Sequence, residues 1–162
     1  MDTTTKKTIF LLCLLATCGF ANAQKGLHVN AIFDNYGKQK SAVLIELAKD
    51  VLGDNTCINR YKSLTIPADP DIIRMTLNAI RTDLENGDIL MESQKDGITE
   101  TGYYHLAKTK DWTENEYILF GARSSKMTLI YIRGDFPPSH LEKELDKLKD
   151  LFIKVNDKQT KL

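Results

Sequence analysis

Two adjacent stretches of alternating apolar and polar residues, EYILFGAR and KMTLIYIR, most constrain how this chain can fold. They flank a Ser-Ser pair, and side chains along an extended strand point alternately to the two sides of a sheet. A two-residue loop that pairs Arg123 with Lys126 therefore makes an antiparallel hairpin. In this register Glu116 lies opposite Arg133, which is a favourable cross-strand pair of charges.

The hairpin register divides the side chains into two faces. One face is apolar and is expected to pack against helices; its members are Ile118, Phe120, Ala122, Met127, Leu129 and Tyr131. The other, which we call the outer face, is only half apolar; its apolar members are Tyr117, Leu119, Ile130 and Ile132. The sequence therefore predicts spare apolar surface on the outer face.

Further strands are predicted upstream of the hairpin. DILMES and TGYYHLAK, joined through QKDGIT, complete a meander of four antiparallel strands from about residue 88 to residue 133. YKSLTI is a strand by its β-branched residues. Residues 42–48 stay open between helix and strand. The apolar side chains of SAVLIELAKDVLG have helical spacing, but Val43, Ile45 and Leu47 also alternate as they would in a strand.

Two longer segments and one shorter segment carry apolar residues with helical spacing. In ADPDIIRMTLNAIRTDLENG, Asp69 can cap a helix whose first residue is Pro70. In SHLEKELDKLKDLFIKV, Ser139 and Glu142 have the spacing of a capping box. VNAIFDNYG predicts two turns of helix. The apolar stripes of the two longer helices must pack on something; they are Ile73, Leu77, Ile80 and Leu84, then Leu141, Leu145, Leu148, Phe152 and Val155.

These elements predict an α+β fold, in which an antiparallel sheet of about four to six strands carries two long amphipathic helices packed on one face. The length fits one globular domain over residues 24–157. The last residues, 158–162, are polar and are expected to form a flexible tail.

The N-terminus predicts export. Lys6 and Lys7 precede an apolar run that is shorter than the roughly 20 residues of a spanning helix, and the run ends in Ala21-Asn22-Ala23. Small residues at these positions suit signal peptidase, so residues 1–23 are expected to be a signal peptide. The alternative is a lipoprotein anchored at Cys18, although Thr17 departs from the small residue that this motif prefers.

Removal of residues 1–23 takes away two lysines and one aspartate from 22 basic and 22 acidic residues, which leaves a net charge of about −1. This balance excludes a nucleic-acid-binding surface of the usual cationic kind. No second apolar segment is long enough to span a membrane. The expected location is the periplasm or the exterior, and Cys57, alone after cleavage, cannot form an internal disulfide.

Chemistry-bearing residues are sparse. His28, His105 and His140 lie on separate elements without the spacing of metal ligands, so no metal site is expected. Cys57 with a histidine is the least implausible catalytic pair, but GDNTCINR has no nucleophile context, and a buried, inert thiol is the simpler interpretation. The sequence predicts no catalytic residue and no cofactor.

The segment GYYHLAKTKDWTENEYILF gathers Tyr103, Tyr104, Trp112 and Tyr117 around one hairpin. Exposed aromatic side chains on a rigid sheet can stack on sugars or anchor a peptide. Because neighbouring residues of a strand point to opposite faces, Tyr103 and Tyr104 do not share a surface. The candidate binding surface is therefore Tyr104, Trp112 and Tyr117.

Three stretches, KGLHVNAIFDNYG, YKSLTIP and TLIYIRGDF, resemble a domain-of-unknown-function family of small exported proteins from Gram-negative gut bacteria. The resemblance covers nearly the whole chain after the signal segment and is carried by packing and turn patterns. It implies a strand at AVLIELA. It carries over no site residues.

The functional expectation is a non-catalytic exported binding or accessory protein of the cell envelope, which uses its outer face or aromatic hairpin against an unknown protein or glycan. The alternatives are an enzyme that uses Cys57 with a histidine, and a structural protein that self-associates as a homodimer through its outer face.

Overall fold

The computed structural model describes residues 26–108 and 113–159, with side chains placed up to residue 150. Its helices are α1 (Val29–Tyr36), α2 (Lys49–Leu52), α3 (Pro70–Asp83) and α4 (Leu141–Gln159), the last preceded by a 3-10 turn (Pro138–His140). Its strands are β1 (Val43–Ala48), β2 (Ile58–Pro67), β3 (Asp88–Lys95), β4 (Ile98–His105), β5 (Asn115–Arg123) and β6 (Lys126–Gly134).

The six strands form one antiparallel sheet in the order β1-β2-β6-β5-β4-β3. The α+β class and the antiparallel sheet are confirmed, and β3 to β6 form the expected meander. The predicted hairpin register is also confirmed, because Arg123 pairs with Lys126 and Glu116 pairs with Arg133. Residues 43–48 are a strand on β2, and the helical part of that segment is confined to α2.

The inner face of the sheet packs against α1 and α3. Val29, Ile32 and Phe33 of α1 and Ile80 of α3 are at most 4% exposed. They lie in one cluster with the apolar hairpin face that was expected to meet helices; the hairpin members are Ile118, Phe120, Met127, Leu129 and Tyr131, with Ala122 at the margin. The hairpin face that was predicted to pack against helices therefore lies in the inner core.

The expected pair of long helices on one face is wrong. The helices of the described residues are 4 to 19 residues long, and they flank the sheet on both sides. Leu141 and Leu148 of α4 pack on the outer face in a second cluster with Tyr117, Leu119 and Ile132. An apolar stripe indicates that one side of a helix is buried, but it does not specify which face of the sheet that side packs against.

The chain reaches the outer face through the segment after β6. Phe136 stacks on Tyr117, with ring centroids 4.9 Å apart and ring planes 11° apart. A Cβ at Gly134 would overlap the Cys57 carbonyl oxygen and the Phe136 ring, so the close approach requires glycine. Phe136 thus covers the outer face before α4 begins.

Of the two predicted helix caps, one is formed and the other is not. The Asp69 side chain accepts hydrogen bonds from the N–H groups of Asp71 and Ile72, which confirms the cap before Pro70. The capping box of Ser139 is not formed, because Pro138 begins a 3-10 turn and Ser139 lies inside that turn. The N–H groups at the start of α1 are capped by a residue that is distant in the sequence.

The distant cap is Asp83, at the end of α3. Its carboxylate accepts hydrogen bonds from the N–H groups of His28 (2.7 Å) and Val29 (2.9 Å), and its side chain is only 2% exposed. One buried carboxylate therefore joins the C-terminal end of α3 to the N-terminal end of α1.

The signal segment 1–23, Cys18 and Trp112 lie outside the described residues. Helix α4 extends to Gln159, two residues into the predicted tail, and residues 160–162 also lie outside the description. Along the described chain, we find no helix with the length and apolarity that a membrane crossing requires.

Candidate functional site: a groove between the sheet and the C-terminal helix

An open groove of about 550 Å³ lies on the outer face, between the sheet and α4. Ligand sites commonly have volumes of about 300 to 1,000 Å³. The groove floor is formed by four strand residues, Tyr61, Tyr103, Leu119 and Ile130. The groove wall is formed by five residues of α4, Glu142, Leu145, Asp146, Leu148 and Lys149. The groove is thus a remnant of the outer face that α4 leaves uncovered.

Strand pairing brings the floor residues together. Ile130 pairs with Leu119, and Leu119 pairs with Tyr103, so these three side chains form one row across β6, β5 and β4. Tyr61 is on β2, on the other side of β6, and pairs with Ile132 in the next row. Neighbouring strands are roughly 4.8 Å apart, so three strand steps give the floor a length of roughly 14 Å.

The groove wall is amphipathic. Leu145 and Leu148 turn towards the sheet, whereas Glu142, Asp146 and Lys149 occupy successive turns of one side of α4. Asp146 accepts a hydrogen bond from Lys149 at 2.8 Å, and this bond raises the pKa of the Lys149 ammonium. Glu142 is exposed and forms no ion pair with any described residue. The rim therefore carries one carboxylate without an ion-pair partner, in the first turn of α4, where the helix N-terminus favours a negative charge.

A buried carboxylate fixes α4 to the sheet. Glu144 is 2% exposed and accepts hydrogen bonds from the Thr56 hydroxyl (2.8 Å), the Cys57 N–H (2.8 Å) and the Lys147 ammonium (2.6 Å). Burial alone would raise the pKa of Glu144, but the three hydrogen bonds outweigh it and hold the pKa below its ordinary value. Glu144 therefore positions the groove wall as an ionised group.

The expected aromatic binding surface is not formed by Tyr104 and Tyr117. Tyr117 is fully buried, and its hydroxyl donates to the Phe136 carbonyl at 2.6 Å; burial raises its pKa to about 12. Tyr104 is 3% exposed on the inner face, and its hydroxyl donates to Glu92 at 3.2 Å. Both side chains serve packing. Trp112 is outside the described residues.

Tyr104 has a second neighbour that explains its position. A Cβ at Gly102 would overlap the hydroxyl and ring of Tyr104, so the ring lies directly over the glycine. Burial, followed by the Glu92 charge and hydrogen bond, raises the pKa of Tyr104 to about 12. The Tyr103 side chain points to the opposite face, as the strand alternation predicted, and lies in the groove.

Cys57 is exposed, which differs from the expectation of a buried thiol. The loop between α2 and β2 places its backbone, not its side chain, against Glu144. Two of the histidines have other partners: His28 bonds to Asp83, and His105 bonds to Asp88 and Asn115. Within residues 26–108 and 113–150, no group of three or more potential ligands gathers as a metal site would need.

Sequence reasoning did not single out Tyr61, Glu142 or Glu144, and it left Tyr103, which lies on the groove floor, out of the candidate surface. Tyr61 and Glu142 were expected only as parts of a strand and a helix start, and Glu144 as part of a solvated helix face. The alternation of YKSLTI does place Tyr61 on one face with Ser63 and Thr65, but nothing local states which strand lies beside it.

Comparison with known proteins gives a family and no activity. A family described as "Family of unknown function (DUF6108)" matches residues 16–145, which include every strand and the start of α4. No curated protein matches the chain. Since the match covers most of the sequence, the chain belongs to this family of unknown function, DUF6108.

Proposed function

We propose that this chain is a non-catalytic binding or accessory protein of the cell envelope, and that its ligand, a protein segment or a glycan, occupies the groove between the sheet and α4. One observation carries the proposal: the groove joins a floor of apolar and tyrosine side chains to a helix wall with a charged rim. Sites of this composition bind ligands through apolar contact and orient them through a few polar groups.

The groove is consistent with binding rather than packing. Ile130, Tyr103 and Leu145 are only half-buried, although each lies beside fully buried neighbours. A ligand that covers them gains roughly 25 cal/mol for each Å² of apolar surface removed from water. The exposed apolar surface of the groove is somewhat less than about 100 Å², so covering all of it would contribute at most about 2 kcal/mol to the free energy of binding.

Export is part of the proposal and is supported by the N-terminal sequence. The basic start, the short apolar run and Ala21-Asn22-Ala23 form the pattern of a cleaved signal peptide, with a lipid anchor at Cys18 as the alternative. Mass spectrometry of the protein from its native host distinguishes the two. We expect an N-terminus at Gln24; an intact N-terminus in the cytosol would overturn the envelope location.

The groove itself is tested with a neutral apolar fluorophore, N-phenyl-1-naphthylamine, titrated into the protein. We expect a rise in fluorescence, and shifts of methyl resonances confined to Leu119, Ile130 and Leu145. Ile130→Asn should weaken binding about fivefold, because it removes about 1 kcal/mol of apolar contact from the floor.

The matched control is Ile73→Asn, which makes the same change at a half-buried isoleucine of the inner cluster. We expect this variant to lose stability, as Ile130→Asn also should, but to keep the affinity of the wild type. Equal loss of affinity in both variants, or methyl shifts outside the groove, would show that the probe does not report on a groove site.

Self-association remains a prediction, but its surface is reduced. Tyr117 and Ile132 are fully buried, so only the groove part of the outer face can meet a second copy. Sedimentation at micromolar concentration tests it, and a monomer would end the idea. Among the residues that the structure describes, no contact of the Cys57 side chain favours the enzymatic alternative.

A further inference from the structure

The shape of the groove indicates what kind of ligand it takes. The floor runs across four neighbouring strands, from Tyr61 on β2 to Tyr103 on β4, over roughly 14 Å. An extended chain advances roughly 3.3 Å per residue, so this floor accommodates about four residues of a peptide lying across the strands. The groove is open along its length, which suits a segment of a longer chain better than an enclosed small molecule.

The floor distinguishes a peptide from a sugar. Its centre is Leu119 and Ile130, with Leu145 and Leu148 at the side, and aromatic rings occur only at the two ends. Stacking on sugar rings would be confined to the two ends, whereas the aliphatic centre suits aliphatic or aromatic side chains of a peptide. The Tyr103 hydroxyl has no hydrogen-bond partner among the described residues and lies in the groove, so it is available to a peptide backbone group.

The rim indicates the charge of the ligand. Lys149 is neutralised by Asp146, but no described residue neutralises Glu142. A cationic side chain beside Glu142 would therefore form a pair that the free protein lacks, and an anionic ligand would be repelled. The acidic rim also disfavours the head groups of anionic lipids.

On the basis of the proposed function, we propose that the groove binds an extended peptide segment in which apolar side chains alternate with lysine or arginine. Apolar side chains of the segment contact Leu119 and Ile130, and a basic side chain pairs with Glu142. The occupant is therefore an unstructured or strand-forming stretch of a partner protein, about four residues long, that carries both apolar and basic residues.

The test uses three acetylated and amidated hexapeptides that alternate leucine with lysine, serine or glutamate, together with a neutral oligosaccharide. Affinities are measured by calorimetry at low salt, and the occupied surface is mapped by methyl resonances of Leu119, Ile130 and Leu145. We expect the lysine peptide to bind most tightly and the glutamate peptide least tightly.

Variants of the rim separate charge from contact. Glu142→Gln should weaken the lysine peptide about two- to fivefold, as expected for a solvent-exposed ion pair, and should leave the serine peptide unchanged. Glu142→Lys should reverse the preference towards the glutamate peptide. Glu85→Gln, a matched change at an exposed carboxylate after α3, should alter none of the affinities.

Each contrary outcome identifies what fails. Equal affinities for the three peptides would overturn the cationic preference. Binding of the oligosaccharide would overturn the peptide ligand while the groove remains a binding site. The same conclusion would follow if the protein bound N-phenyl-1-naphthylamine but none of the three peptides. Absence of all these ligands from the groove would overturn the proposed function itself.

Discussion

Glu144 allows the sharpest prediction about this fold, because one buried carboxylate holds α4 through three hydrogen bonds. Glu144→Gln keeps the shape of the side chain and removes only its charge. The amide oxygen can still accept from Thr56 or Cys57, but the pairing with Lys147 is lost. Hydrogen bonds to charged groups contribute about 1.5 to 3 kcal/mol and neutral ones about 1, so we expect the free energy of unfolding to fall by about 1 to 2 kcal/mol at pH 7.

Glu144→Ala should cost more, about 3 to 4 kcal/mol, because it leaves the Thr56 hydroxyl and the Cys57 N–H without their acceptor. The hydroxyl of Thr56 also accepts a hydrogen bond from the Ile58 N–H at 3.1 Å, so the loss extends to the start of β2. A typical domain is stable by about 5 to 15 kcal/mol, so the alanine variant should still fold. Urea unfolding measures both losses.

The pH dependence of stability provides an independent test of the same prediction. The folded-state pKa of Glu144 lies below its usual value of 4.5, so its contribution is present above pH 4.5 and is lost as the pH falls through the folded-state pKa. The difference in unfolding free energy between wild type and Glu144→Gln should therefore shrink towards pH 3. Glu142→Gln, the same change two residues away at an exposed position, should differ from wild type by less than about 0.5 kcal/mol.

Two results would refute this reasoning. A difference between wild type and Glu144→Gln that stays constant from pH 3 to pH 7 would mean that the charge of Glu144 does not stabilise the fold. A loss in Glu142→Gln as large as that in Glu144→Gln would mean that the helix responds to any removed charge, and not to the contacts of the buried one.

Two further predictions concern the inner face and the thiol. Gly102→Ala should destabilise the fold by about 1 to 3 kcal/mol, because the new methyl group overlaps the Tyr104 ring; thermal unfolding should show the cost largely gone in the Tyr104→Ala background, and an equal cost there would contradict the contact. Cys57, in the chain that begins at Gln24, should react with an aromatic disulfide reagent without denaturant because it is exposed. A reaction rate far above that of free cysteine would revive the histidine-assisted nucleophile.

The sheet was predictable where the signal is local. The two-residue loop and the alternation of the hairpin fix a register in which Arg123 meets Lys126, and a one-residue slip would have reversed both faces. The cap at Asp69 was predictable for the same reason, since a capping residue and its N–H partners lie within three positions of each other.

The groove was not predictable, because it depends on contacts between distant residues. The stripe of Leu141, Leu145 and Leu148 states that α4 is buried but not on which face. Glu144 looks like one of many solvated carboxylates, and only the loop at Thr56 makes it a buried anchor. Tyr117 looks like a binding aromatic until Phe136 covers it.

The carboxylate of Asp83 has a consequence for the order in which the chain becomes ordered. Helix α1 starts at Val29, yet the acceptor for the Val29 N–H is 54 residues further along the chain. During synthesis the N–H groups at this start have no protein acceptor until α3 has emerged, and one edge of β2 likewise waits for β6, although its other edge can pair with β1. The start of α1 is therefore completed only after 54 further residues have been made, a delay that suits the export we propose, in which the chain passes unfolded through a translocation channel.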